Sequence, residues 1–221
     1  MRGGQALSVY AERSGLSRQS RLPSDAEFFR LFDVRRSGRE LASAESLLEH
    51  FRARQTSNFF AAFSDRAETV AQLRTRFGAS AQTAVIERAR KICAGRFDLL
   101  GLHDLSFGEP LDWHLEPVSG KRVSLKHWSR INYLDAEAAG DKKIIWELNR
   151  HQYFMTLGRA YWYTDDERYA QVFAAHLEAW MDANPPKQGI NWASSLELSF
   201  RAISWLWAFH FFKDSKHLSP A

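Results

Sequence analysis

The sequence predicts an all-α chain that one stretch of loops and short strands interrupts. Before position 97 and after position 141, apolar residues recur at three- and four-residue spacing, which is typical of amphipathic helices. Between these positions, glycine and proline break the pattern at short intervals. The chain therefore divides into a helical region at 1–96, a crossing segment at 97–141 and a second helical region at 142–221.

The first region is predicted to form a layer of amphipathic helices. Ser24 stands three residues ahead of Glu27, which is the spacing of a capping box and predicts the start of a helix. The later stretches SGRELASAESLLEHFRARQ and AQTAVIERARKICAG combine helical spacing with many alanine, arginine and glutamate residues. We expect a helix in each of them.

The crossing segment is predicted to hold extended strands or ordered loops. Its short apolar pieces lie between residues that break helices, namely Gly101, Gly108, Pro110, Pro117 and Gly120. A long ordered loop in a compact protein often carries function.

Three consecutive helices are predicted after Asp141. The first covers DKKIIWELNRHQYFMTLGRAYWYT, and capping-box spacings at Thr164–Glu167 and at Ser194–Glu197 predict the starts of the other two. Helices joined by short connections are antiparallel neighbours, so this region predicts a repeat unit of a helical bundle or of an α/α toroid.

The last predicted helix has two apolar faces and one narrow strip of polar or small residues. The strip consists of Glu197, Arg201, Ser204 and Ala208. A helix of this kind is buried by neighbours on two sides, so we expect the strip to face a central cleft. The alternative is a plain ion pair between Glu197 and Arg201, four residues apart, that needs no function.

Composition and motifs exclude several classes of protein. The net charge of +4 comes without a block of Lys or Arg, so no nucleic-acid partner is predicted, whereas an acidic polysaccharide remains compatible. Cys93 is the single cysteine, which excludes an internal disulfide and a thiolate metal cluster. The sequence contains no Gly-rich phosphate loop, HExxH motif or nucleophile elbow, so we predict no cofactor and no metal.

Neither a membrane span nor a signal peptide is predicted. No run of about eighteen apolar residues occurs, and the first twenty residues lack the apolar run of a signal peptide. The protein is expected either to stay inside the cell or to have its true start further upstream.

Candidate site residues lie in two polar stretches. Glu147, Asn149, Arg150 and His151 form one group, in which the carboxylate of Glu147 is placed to orient the imidazole of His151. Asn191 precedes the third helix and is either a ligand-binding amide or a turn residue beside a glycine.

Arginine, histidine and tryptophan side chains supply further candidates. Arg201 is able to bind an anionic ligand with two hydrogen bonds, as an alternative to the ion pair. His176 is interpreted as a packed core histidine. Trp128, Trp146 and Trp192 are either packing residues or platforms for sugar rings.

The two polar stretches carry a resemblance to a known family. WELNRHQYFMTLGRAYWYT, followed by GINWASSLELSFRAISWLWAFHFF, resembles the N-terminal part of the heparinase II/III family of polysaccharide lyases. FDLLG at Phe97 and LDWH ahead of Gly120 resemble the lead-in of that family. The resemblance covers residues 97–212. It implies an (α/α) toroid followed by a β-sandwich, in a periplasmic enzyme that cleaves uronic-acid-containing polysaccharide by β-elimination.

The resemblance also implies roles for individual residues. Asn191 is the best match to the asparagine that neutralises the uronate carboxylate in this family. Substrate contacts are expected from the surrounding polar and aromatic side chains, Glu147, Asn149, Arg150, His151, Trp192 and Arg201. The tyrosine and histidine that transfer protons in the family have no placeable counterparts. The rest of the toroid and the sandwich are not in this sequence, so we expect a fragment with little activity and a partner in the missing C-terminal part.

Two other functions remain open from the residues. A toroid can carry a glycoside hydrolase, in which two carboxylates flank the bond, and Asp112, Glu147 and Glu197 are available for that role. Alternatively, the chain is a saccharide-binding module that uses its tryptophans without chemistry.

Overall fold

The computed structural model describes residues 2–14, 23–31, 41–54 and 59–219. This part of the chain is mostly helical, as predicted, with a few short strands. It contains nine α-helices: α1 Arg2–Arg13, α2 Asp25–Phe29, α3 Ala44–Ala53, α4 Arg66–Cys93, α5 Ala136–Ala139, α6 Lys142–Asn149, α7 Tyr153–Thr164, α8 Arg168–Ala183 and α9 Ser195–Phe212. Three single turns of 3-10 helix lie at Ala61–Phe63, Trp128–Arg130 and Ile190–Trp192.

The N-terminal helices follow the predicted signals where the structure describes them. The capping box at the start of α2 is confirmed, because the backbone N–H of Glu27 donates to Oγ of Ser24 and the N–H of Ser24 donates to the Glu27 carboxylate. α4 runs through the predicted stretch AQTAVIERARKICAG and changes direction at Gly78, whose φ of 75° lies outside the helical region. The ends of SGRELASAESLLEHFRARQ lie outside the described residues, and its middle forms α3.

Two antiparallel hairpins supply the short strands. β1 Arg96–Leu99 pairs with β2 Leu102–Ser106, and β3 Leu115–Glu116 pairs with β4 Lys121–Arg122. A further isolated antiparallel bridge joins His127 to Gln188, which brings the crossing segment against the connection between α8 and α9.

The first helix predicted after Asp141 is broken in the structure, so that prediction is wrong. α6 ends at Asn149 and α7 begins at Tyr153. Between them His151 adopts the left-handed conformation, with φ 58°, and its side chain is fully buried. A non-glycine residue rarely adopts this conformation without support from tertiary contacts, and the spacing of apolar residues carries no sign of it.

Two of the three predicted capping boxes do not form. Thr164 is the last residue of α7 and donates its hydroxyl to the carbonyl of Ala160, while Glu167 accepts hydrogen bonds from side chains outside its own helix. Ser194 occupies the N-cap position of α9 but makes no capping hydrogen bond with its side chain. The carboxylate of Glu197 is bound by an arginine instead. In both cases the glutamate carboxylate binds a side chain outside its own helix instead of the local backbone N–H.

The hydrophobic core is built around α7, which packs against α4, α8 and α9. At Gly158, a Cβ would lie 2.4 Å from Cγ of Phe211, so α7 and α9 approach each other at a position that only glycine allows. Large aromatic side chains fill the space between the helices, among them Phe154, Phe173 and Phe212.

The orientation of α9 differs from the prediction. Glu197, Arg201, Ser204 and Ala208 are all buried, with at most 4% of their surface exposed. Three apolar residues of the same helix are about half exposed, namely Leu196 at 56%, Ile203 at 52% and Leu206 at 50%. The prediction that the polar strip faces an open cleft is therefore wrong for this chain. The strip faces the other helices, and an apolar stripe faces outward.

Candidate functional site

Three buried asparagines join the two polar stretches of the sequence. The side-chain N–H groups of Asn191 donate to Oδ1 of Asn149 at 2.8 Å and to Oδ1 of Asn184 at 2.8 Å. Asn149 and Asn191 come from the stretches WELNRHQ and GINW, so the structure brings these stretches together. We call Asn149, Asn184 and Asn191 the asparagine cluster. None of its members has more than 2% of its surface exposed.

Neighbouring elements fix the orientation of the asparagine cluster. Trp180 donates its indole N–H to Oδ1 of Asn149 at 2.7 Å, and Asn149 donates to the carbonyls of Trp113 and Ile145. Asn184 donates to the carbonyl of Trp180. The side-chain amide of Asn149 thus donates two hydrogen bonds, to Trp113 and Ile145, and accepts two, from Trp180 and Asn191, so all four of its hydrogen-bonding positions are occupied.

Arg201 ties the two stretches together through their backbones. Its guanidinium donates to the carbonyl of Asn149 at 3.1 Å and to the carbonyl of Asn191 at 2.8 Å, and it lies 4.4 Å from the ring of Trp180. Burial lowers the pKa of Arg201 to about 10, so the group stays charged at neutral pH. The ion pair with Glu197, one of the two alternatives that the sequence left open, is absent from the described contacts, because each residue has taken another partner.

Arg150 holds two carboxylates at the edge of this buried network. Its Nε and Nη2 donate to the two carboxylate oxygens of Glu197 at 2.7 and 2.9 Å, and its Nη1 donates to Glu147 at 2.6 Å. The pKa of Arg150 is raised, chiefly by the hydrogen bond to Glu197. Glu147 and Arg150 keep 17% and 21% of their side chains exposed, whereas Glu197 keeps 2%. We call these three residues the arginine–carboxylate triad.

His151 is oriented by a tryptophan and not by Glu147, so that prediction is wrong. Trp205 donates its indole N–H to Nδ1 of His151 at 2.8 Å. Burial, with the nearby charge of Arg201, holds the pKa of His151 well below its usual value. The imidazole is therefore neutral at pH 7, and because an indole N–H only donates, the proton of His151 lies on Nε2. That atom is buried and has no hydrogen-bond partner in the described part of the chain.

A tyrosine–histidine pair that the sequence analysis did not single out lies beside this network. The hydroxyl of Tyr153 and Nδ1 of His176 are 3.0 Å apart. Burial raises the pKa of Tyr153 well above its usual value and lowers the pKa of His176 to about 4. A tyrosine that accepts a proton needs the opposite shift. The pair is suited to packing and not to proton transfer, which agrees with the interpretation of His176 as a core histidine.

The three tryptophans that were candidates for sugar platforms lie in different surroundings. Trp146 is buried and donates to the carbonyl of Ile190. Trp192 is half-buried, with its ring 6.1 Å from that of Trp180. Trp128 is half-buried beside His127. Trp146 therefore has a packing role, while the other two remain partly exposed.

The described residues include no group of three or more histidine, cysteine, aspartate or glutamate side chains with the geometry of a metal site. Among the same residues, no helix is both long enough and apolar enough to cross a membrane.

Several residues of the network carried no signal in the sequence. Asn184 precedes two prolines and reads as a helix end, while Trp180 and Trp205 read as members of apolar stripes. Their polar atoms act only through partners that are distant in sequence, 31 residues for Trp180 and 54 for Trp205. The sequence gives one weak indication of this network, which is that Asn184 is a polar residue a few positions before the stretch GINW.

Comparison with known proteins identifies the family. The model of the family described as "Heparinase II/III N-terminus" matches residues 31–221. A heparin-sulfate lyase of Bacteroides stercoris is 28% identical over 80 residues, which make up 36% of this chain and 9% of that protein. The match thus spans about a tenth of the relative. No solved structure matches the chain significantly. Because the family match covers most of the chain, including both stretches that form the asparagine cluster, the protein belongs to the heparinase II/III N-terminal family.

Proposed function

We propose that this chain is the N-terminal part of a polysaccharide lyase that cleaves uronic-acid-containing polysaccharide by β-elimination. The observation that carries the proposal is the family match over residues 31–221, which includes the two stretches joined in the asparagine cluster. The name of the heparin-sulfate lyase relative supports the same substrate class.

The proposed architecture is the beginning of an α/α toroid formed by α6 to α9. The outward apolar stripe of α9, with Leu196, Ile203 and Leu206 about half exposed, supports it. In a toroid each helix is covered by the next helical pair, and a further helix packed on this stripe would remove its apolar surface from water.

The accessible residues at the edge of the buried network are the proposed substrate contacts. Arg150 is partly exposed and carries a guanidinium, and Trp192 is half-buried with a ring able to stack on a sugar. Asn149, His151 and Arg201 are buried, and we assign them to holding these residues in place. Glu147 accepts a hydrogen bond from the guanidinium of Arg150, and the exposed part of the Glu147 side chain is available to a sugar hydroxyl.

The reaction explains why a cation and amide donors are needed. Removal of the proton next to a carboxylate builds negative charge on that carboxylate, and preorganised donors lower the barrier by stabilising the charge as it develops. A direct contact of Asn191 with the uronate stays a prediction. Both of its N–H groups already donate to Asn149 and Asn184, so direct contact requires one of these bonds to open. The geometry favours a positioning role.

A glycoside hydrolase has less support from the structure. The three carboxylates considered for it are each bound to an arginine, with Asp112 on Arg122 and both Glu147 and Glu197 on Arg150. One acid of such a pair must hold a proton to give to the leaving oxygen, and a guanidinium partner stabilises the ionised carboxylate instead.

The test is to incubate the complete gene product and the 221-residue chain with heparan-like and alginate-like polysaccharides. A lyase leaves an unsaturated uronate that absorbs in the ultraviolet, a hydrolase leaves only new reducing ends, and a binding module leaves neither. We expect the ultraviolet signal from the complete product and little or none from the chain alone. Reducing ends without absorbance, or no new ends with any acidic polysaccharide, would overturn the proposal.

A further inference from the structure

The bridge between His127 and Gln188 gathers basic side chains from three distant parts of the chain. The backbone N–H of Trp128 donates to the carbonyl of Lys187, and the N–H of Gly189 donates to the carbonyl of Lys126. The end of α1 lies against the same place, because Arg13 donates to the hydroxyl and the carbonyl of Ser129 at 2.9 and 3.1 Å.

The positive charges at this bridge outnumber the negative ones. Arg13, Arg130 and Lys187 all lie close enough to lower the pKa of His127, although burial lowers it more, and Glu12 is the acidic group that opposes them. Lys187 and Glu12 form an ion pair at 2.7 Å. We call Arg13, Lys126, Arg130 and Lys187 the basic patch. Among the described residues, Glu12 is the carboxylate that acts on His127 at this place, against the positive charges of Arg13, Arg130 and Lys187.

Two members of the basic patch are available to a ligand. Lys126 and Arg130 are exposed, and no ion pair or side-chain hydrogen bond occupies either of them among the described residues. His127, between them in the sequence, has 8% of its surface exposed, and its buried Nε2 lies 3.7 Å from a carboxylate oxygen of Glu12. The histidine therefore faces Glu12, and the groups available to a ligand are the two exposed cations.

The surface next to the basic patch suits a sugar chain. Trp128 is partly exposed, its ring centroid lies 5.7 Å from that of His127, and its side chain is hydrogen-bonded to Glu12. An aromatic side chain next to exposed cations offers apolar contact to a sugar ring and charge to its carboxylate. A duplex nucleic acid needs a longer run of phosphate contacts than four side chains provide.

We propose that the basic patch binds the uronate carboxylates of an acidic polysaccharide, through residues that belong to neither the asparagine cluster nor the arginine–carboxylate triad. This inference rests on the proposed substrate class but not on the β-elimination reaction. A second contact region of this kind holds a long chain on the protein between reactions and raises the local concentration of reacting units.

The test compares two variants that each lose two positive charges. Lys126→Gln with Arg130→Gln removes the exposed half of the patch, and Arg76→Gln with Lys216→Gln removes two exposed charges from other elements. Circular dichroism and thermal melting establish that both variants fold. Affinity for alginate, heparin, neutral dextran and duplex DNA is measured by titration calorimetry at low and at physiological salt.

We expect the patch variant to bind alginate about five- to tenfold more weakly at low salt, from two exposed charge contacts of ordinary strength. Binding of the control variant should change less than twofold. Unchanged alginate affinity in the patch variant, or a loss confined to heparin, would overturn the assignment to uronate carboxylates. Patch-dependent binding of DNA at equal or higher affinity would overturn the choice of polysaccharide as partner.

Failure of the patch and failure of the proposed function are distinguishable. If the complete gene product releases unsaturated uronate and the patch variant binds alginate normally, the patch inference is wrong and the lyase stands. If no acidic polysaccharide is cleaved while alginate binding depends on the patch, the lyase proposal is wrong and the binding surface stands.

Discussion

Replacement of Asn191 by alanine tests whether the asparagine cluster supports the fold. The change removes the donor to Oδ1 of Asn149 and the donor to Oδ1 of Asn184. Asn149 keeps its bond from Trp180, whereas Asn184 is left with a buried oxygen that has no other described donor. The bond from Arg201 goes to the backbone carbonyl of residue 191 and is retained.

The magnitude follows from these contacts. Loss of a buried hydrogen bond lowers the free energy of unfolding by about 1 kcal/mol, and an unsatisfied buried acceptor costs about 1–3 kcal/mol more. We therefore expect Asn191→Ala to lower the free energy of unfolding by about 2–4 kcal/mol. The role that the family resemblance implies for Asn191, a donor to the substrate in a cleft, predicts little change in stability, so the two interpretations differ by a measurable amount.

The assay is urea denaturation followed by tryptophan fluorescence. The signal sums the emission of the eight tryptophans, among them Trp180, which donates to Asn149 of the cluster. Ser199→Ala is the matched control, because Ser199 is exposed and bonds only within its own helix, and it should stay within about 0.5 kcal/mol of the parent. A loss below about 0.5 kcal/mol for Asn191→Ala would refute the reasoning and would restore Asn191 as a free donor.

Three further predictions concern the core around α7. Gly158→Ala places a Cβ 2.4 Å from Cγ of Phe211 and should lower stability by about 1–3 kcal/mol; an unchanged melting temperature would mean that the helices move apart freely. Burial lowers the pKa of His176 from 6.5 to about 4 in the folded chain, so between these pH values the unfolded chain binds more protons than the folded one. The free energy of unfolding should therefore be highest above pH 6.5 and should fall by up to about 3 kcal/mol on acidification to pH 4. Urea titrations of the parent and of a His176→Gln variant across that range measure it, and equal pH dependence in both would contradict the assignment. Trp205→Phe keeps an aromatic ring but removes the N–H that reaches His151, and should lower the free energy of unfolding by about 1–2 kcal/mol in the same titration; no loss would show that the hydrogen bond is replaced.

The sequence predicted the helices and the meeting of the two polar stretches. Periodicity of apolar residues depends on burial of one helix face, which a local window of sequence records well. The meeting of Asn149 with Asn191 followed from topology, because helices joined by short connections bring corresponding ends together. Neither inference required knowledge of side-chain partners.

Predictions that depended on side-chain partners were wrong where a distant residue competed. The spacing of four residues on a helix suggested a contact between Glu197 and Arg201 and another between Glu147 and His151. In the folded chain Glu197 binds Arg150, 47 residues away, and His151 binds Trp205, 54 residues away. A helical ion pair contributes only a few tenths of a kcal/mol, so a bidentate contact between helices readily displaces it.

The basic patch could not be predicted from the composition or from the order of charges along the sequence. The net charge of +4 is spread along the chain, and the sequence carries no dense block of Lys or Arg. Arg13 and Lys187 are brought beside Arg130 only by the docking of α1 and by the bridge at His127. A charge cluster assembled from separate elements becomes visible only when the fold is known.

The orientation of α9 depends on two opposing free energies, the gain from burying its apolar side chains and the cost of breaking the contacts of its polar ones. Rotation of the helix by half a turn would bury Leu196, Ile203 and Leu206, each worth about 1.5–3 kcal/mol when fully buried. The same rotation would carry Glu197 away from Arg150 and Arg201 away from the carbonyls of Asn149 and Asn191. These carbonyls would stay buried without a donor from Arg201, at a cost of about 1–3 kcal/mol each, and Arg150 would lose its bidentate partner. The polar strip therefore turns inward, where Glu197 is bound by Arg150 and Arg201 by two backbone carbonyls. The apolar stripe of Leu196, Ile203 and Leu206 stays on the outside of the described structure, because the free energy gained by burying it is smaller than the cost of breaking the polar network.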